Sequence, residues 1–75
     1  MNRLSSGYTL ASREDDPVHT VRTIARLAQM VIELRNEYVG NPRPETLRQI
    51  EQRLDDIHEQ REILRQKIAH QTTEE

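Results

Sequence analysis

In the first half of the chain, Ile24, Leu27, Val31, Leu34 and Tyr38 recur at alternating steps of three and four residues. Because 3.6 residues complete a helical turn, that rhythm keeps one face of an α-helix apolar. Val21, Ala28 and Ile32 widen the stripe. Asp16 followed by Pro17 predicts where the helix begins. An Asp side chain accepts from the free amides of the first turn, and a Pro at its first position gives up a donor that has no partner there. Gly40 and Pro42 predict the end, with Gly40 expected to take a left-handed conformation and Pro42 unable to continue the helix. The first helix is expected over residues 17–39.

The same 3-4 rhythm returns more strongly after the connector Gly40-Asn41-Pro42-Arg43. Leu47, Ile50, Leu54, Ile57, Arg61, Leu64 and Ile68 hold it for more than two heptads. Pro44 and Glu45 suit a first turn, and Arg65, Lys67 and His70 suit a last one. The second helix is expected over residues 44–70. So short a connector predicts an antiparallel hairpin. In it Tyr38 would lie near Leu47, Leu34 near Ile50, Val31 near Leu54, Leu27 near Ile57, and Ile24 near Arg61. Arg61 then sits at a core position, where it must snorkel or pair, and where a polar residue fixes register or partner. Residues 1–16 show no period and read as a flexible arm, and residues 71–75 as a disordered tail.

Composition turns this pattern into an expectation about assembly. The chain has 75 residues, 33% hydrophobic and 32% charged, with Tyr8 and Tyr38 as its aromatics. A domain this small buries only about 60% of its unfolded surface. Two helices touching along one seam leave the far side of each stripe wet, so the hairpin needs another surface. Two-fold self-association supplies it most simply, because one stripe is then used twice. The expected fold is an all-α antiparallel two-helix hairpin, coiled-coil-like, dimerising into a four-helix bundle.

The charge of −2 argues against a general nucleic-acid binder, whose usual footprint is basic. The absence of Cys removes disulfides and thiolate chemistry, and no apolar run reaches the roughly 18 residues of a membrane span. With no apolar leader at the N-terminus, a cytoplasmic protein is expected. Asp55 and His58, with Glu51 and Glu62 a turn away, have the spacing of a carboxylate–histidine metal pair. Leu54 and Ile57 are the inward positions, however, which turns Asp55 outward and reads as a solvated face. No metal or cofactor is expected. His19 and His70 would approach at the open end of the hairpin, as a surface pair. Glu51, Asp55, Asp56, Glu59 and Glu62 form an acidic strip interrupted by Arg53 and Arg61, and Arg22, Arg26 and Arg35 form a basic counterpart that could meet it across a symmetric dimer. No GxSxG elbow, phosphate loop or HExxH is present, so no enzyme is expected.

Gln52, Leu54 and Asp55 match the Ser-Gln-Glu-Leu-Asp motif of small sporulation-type aspartyl-phosphate phosphatases, which the segment resembles at those positions. Glu51 replaces the Ser of that motif and Arg53 its Glu. The resemblance implies dephosphorylation of a response regulator, with Asp55 as the functional position. The helical hairpin with a Pro-rich turn is similar in plan to type III secretion needle subunits and their small co-chaperones. Neither resemblance assigns a family. The expected function is a non-enzymatic protein-interaction module, an adaptor, chaperone-like binder or regulator. Its interface would comprise Ile24, Leu27, Val31, Leu34, Tyr38, Leu47, Ile50, Leu54, Ile57, Arg61, Leu64 and Ile68. Its partner would be a protein, a second copy, or both, and not nucleic acid, membrane or a small-molecule substrate. The alternatives are a structural subunit of a larger helical assembly and a phosphatase-like regulator.

Overall fold

The computed structural model describes residues 16–74. Among them the chain forms two helices, α1 (Pro17–Gly40) and α2 (Pro44–Glu74), packed against each other as a hairpin. The expected arm lies outside the described residues apart from Asp16. Asp16 caps α1 as its sequence predicts: the Val18 amide donates to Asp16 Oδ1 at 2.9 Å, and Pro17 takes the first turn. The other end differs from expectation. Gly40 is the last residue of α1 and does not have positive φ; the amide of Asn41 donates to the Glu37 carbonyl at 2.9 Å and closes the helix instead. Helix α2 continues through residues 71–74, where a disordered tail was expected. Neither Gly nor Pro follows Pro44, so no breaker stops the helix before its end.

The antiparallel sense is fixed at the open end. Lys67 Nζ donates to the Thr20 hydroxyl at 2.7 Å and reaches the Asp16 carbonyl at 3.5 Å. At mid-length, residues of both helices, Leu34 and Arg53 among them, line one groove. Ile24, Leu27, Val31, Leu34 and Tyr38 are half-buried along α1, and Ile50, Ile57 and Leu64 along α2.

The seam departs from the expected one by a row on α2. Leu47, Leu54 and Ile68 are exposed at 47%, 51% and 52%, and Arg61 is exposed as well. Their places beside helix α1 are taken by Thr46, Arg53, Gln60 and Lys67, each one residue earlier. Both rows keep the 3-4 rhythm with Ile50, Ile57 and Leu64, so the rhythm alone does not choose between them. Side-chain chemistry does. Lys67 and Arg53 lay their methylenes along the seam while their charged ends find partners, Thr20 and Asp16 for Lys67 and Asp56 at 3.1 Å for Arg53. The consequence is a hairpin without an apolar core. Among the described residues no hydrophobic side chain is buried; the buried residues are Thr20 and Thr46, at 1% and 2% exposure.

Candidate functional site: an apolar face on one side of the hairpin

A residue one position beyond a seam residue is turned about 100° around its helix. In an antiparallel pair that turn brings both helices to the same side, because the sense of rotation reverses with chain direction. Val21, Ala28 and Arg35 occupy these positions on α1, following Thr20, Leu27 and Leu34. Leu47, Leu54, Arg61 and Ile68 occupy them on α2. The next row of α1, namely Val18, Ala25, Ile32 and Val39, flanks the first, and all of these residues are exposed. One side of the hairpin is therefore a largely aliphatic strip, interrupted by Arg35 and Arg61. A depression of about 220 Å³ opens on it between Arg61, Leu64, Arg65 and Ile68.

The opposite side is polar. There a shallow groove of about 370 Å³ is lined by Met30, Glu33, Leu34, Glu37, Gln49, Gln52 and Arg53. Arg53 Nε is buried in this region without a hydrogen-bond partner, while its Nη2 pairs with Asp56. Met30 supplies the exposed aliphatic surface on this side, against a row of aliphatics on the other.

Charge borders the apolar side asymmetrically. Along α2 its outer margin carries Glu51, Asp55 and Glu62, the last 3.7 Å from Arg65 and 3.8 Å from Arg61. Along α1 the margin carries Arg22, and Arg35 stands within the strip, hydrogen-bonded to Asn36 Oδ1 at 2.9 Å. Arg22, Glu51 and Asp55 make no ion pair among the described residues. Arg26 precedes the seam residue Leu27 and falls on the groove side instead. Asp56 likewise belongs to the groove side, where it pairs with Arg53 and accepts from Gln52 at 3.3 Å.

No family of known proteins, no curated protein and no solved structure matches this chain.

Of the residues nominated from sequence, Ile24, Leu27, Val31, Leu34, Tyr38, Ile50, Ile57 and Leu64 meet in the intramolecular seam, and Leu47, Leu54, Arg61 and Ile68 stand together on the apolar face. Arg61 is thus not a core arginine of the hairpin; Arg53 holds that place. The residues matching the phosphatase motif do not share a face: Gln52 lines the polar groove, Leu54 belongs to the apolar strip and Asp55 to its outer margin. Among the described residues no group of three or more acidic or histidine side chains is placed to hold a metal ion, and neither helix is long and apolar enough to cross a membrane. The open end is joined by Lys67 and Thr20. Ala25 and Val39 were overlooked in the sequence, although they continue the 4-3 spacing that begins at Val21.

Proposed function

We propose that this protein is a non-enzymatic interaction module that works by burying its apolar face against another protein surface, and that a second copy of the chain is the occupant, giving a four-helix bundle. One observation carries the reading: among the described residues no apolar side chain is buried, while Leu47, Leu54 and Ile68, three of its large aliphatics, stand half exposed in one row. A contiguous apolar strip rimmed by charge is the usual mark of a contact surface on a small protein. A second copy fits because the strip spans both helices, so a two-fold partner buries the whole strip against an identical one. Cytoplasmic location belongs to the same reading.

Sedimentation equilibrium from nanomolar to high micromolar concentration tests it. A discrete dimer is expected, with a melting temperature that rises with concentration. Leu54→Lys should shift the equilibrium to monomer and lower helix content. A monomer at all concentrations with a sharp cooperative melt would overturn the reading. Open-ended growth would replace it with the structural subunit of a helical assembly.

A further inference from the structure

Two rows of α2 keep the 3-4 rhythm with Ile50, Ile57 and Leu64. Thr46, Arg53, Gln60 and Lys67 lie in the seam, and Leu47, Leu54, Arg61 and Ile68 lie outside it. We infer that α2 has a second seat on α1, reached by rolling about its own axis, and that the bond from Lys67 to Thr20 selects between the two seats. The roll turns the outer row inward and withdraws α2's half of the apolar face. This latch therefore controls whether that face is on display, a consequence that rests on the contact role proposed above; the roll itself does not.

The movement is small. Neighbouring residues are turned about 100° apart on a helix, and Ile50, Ile57 and Leu64 remain in the seam in both seats. They pass from one edge of the contact to the other, so the roll is about half that angle, ~50°. The turn is taken up in residues 41–43, which lie between the two helices.

The seat in the structure carries two costs. It encloses Arg53 with its Nε buried and unpartnered, and it leaves Leu47, Leu54 and Ile68 half exposed. A roll relieves both, returning Arg53 to water and setting the three aliphatics against α1. Arg61 enters the seam in exchange, where it can snorkel as Arg53 does. Bonds within α2 do not resist, because Gln52 and Arg53 on Asp56, and Arg61 and Arg65 beside Glu62, turn with the helix. Lys67 does resist. Its Nζ donates across the seam to the Thr20 hydroxyl at 2.7 Å and reaches the Asp16 carbonyl at 3.5 Å. Thr20 is shielded from water at 1% exposure, and a sheltered bond from a charged donor is among the stronger ones. Rolling carries Lys67 out, sets Ile68 in its place and breaks both bonds.

Alkylation of single cysteines placed in this cysteine-free chain reads the two seats. Arg53→Cys reports the row now inside, and Leu54→Cys the row now outside. Each reporter is compared with itself, with Lys67 intact and with Lys67→Ala added, so its own effect on the balance cancels. Rates are taken over a dilution series, because protection by a second copy depends on concentration and protection by α1 does not. Removing Lys67 should slow alkylation at 54 and speed it at 53. The ratio of the two rates should shift by about tenfold, the effect of losing one hydrogen bond to a charged group. Lys67→Arg keeps a donor and should hold the parent's ratio. Faster alkylation at both positions means that the latch only holds the hairpin closed, and unchanged rates mean that it holds nothing; either result overturns the inference. Sedimentation of the Lys67→Ala chain should show a raised dimer Kd, since fewer chains display the face. A shifted ratio with Kd unchanged overturns the latch's control of the face. A parent that stays monomeric overturns the proposed self-association, and the alkylation ratio still decides the roll.

Discussion

Leu54 offers the sharpest division between a residue that holds the hairpin together and one that holds two hairpins together. Its side chain is 51% exposed in the single chain, on the row that turns away from α1. Leu54→Ala removes three carbons, worth about 2.4 kcal/mol where burial is complete, at ~0.8 kcal/mol for each. Roughly half of that, about 1 kcal/mol, is still available to a partner. A two-fold dimer counts the site twice, so association should weaken by about 2 kcal/mol, or ~30-fold in Kd. Sedimentation equilibrium on parent and variant measures this directly. Met30→Ala serves as the control: Met30 stands on the polar side at 37% exposure and should leave Kd unchanged. An unchanged Kd for Leu54→Ala, or an equal loss for Met30→Ala, would refute the assignment of the working face.

Three further predictions concern the hairpin itself. Gly40→Ala should stabilise the protein by about 0.4–1 kcal/mol in thermal or denaturant unfolding, because Gly40 does not have positive φ and nothing lies within 4 Å of an added Cβ; destabilisation would restore the left-handed turn expected from sequence. Thr20→Val takes from Lys67 its 2.7 Å hydroxyl partner and should cost about 1.5–3 kcal/mol, with faster hydrogen exchange in the turn after Asp16; slow exchange retained there would mean that the latch carries no load. Arg53→Met replaces a seam arginine whose Nε has no partner and should be neutral or stabilising in denaturant melts, since an apolar residue of similar length removes a costly buried donor; a loss above about 2 kcal/mol would show that the Asp56 pair outweighs it.

The elements were legible in the sequence because their signals are local. Asp16-Pro17 and Pro44-Glu45 each act within one turn, and the 3-4 rhythm describes a single helix before any partner is considered. The hairpin was legible for a similar reason, since a connector of a few residues leaves its two helices little choice but to turn back. The end of α1 was less so. A glycine at a helix terminus is compatible with both signs of φ, and the bond from Asn41 to the Glu37 carbonyl settled the matter.

What the sequence by itself determined, then, is that two amphipathic helices form, where they start, and that their combined apolar surface exceeds what one seam can cover. Which row of α2 enters the seam was decided only by the tertiary structure. Leu47, Leu54 and Ile68 and their neighbours Thr46, Arg53, Gln60 and Lys67 fit the same period equally well, and apolar counting favoured the first set. Packing chose the second: Lys67 finds Thr20 and Asp16 only when that row faces inward, while Arg53 keeps its pair with Asp56 on its own helix. Hydrophobic period fixes which residues lie in line along a helix. The hydrogen bonds available from the opposing helix fix which line turns toward it, and so which aliphatics remain outside.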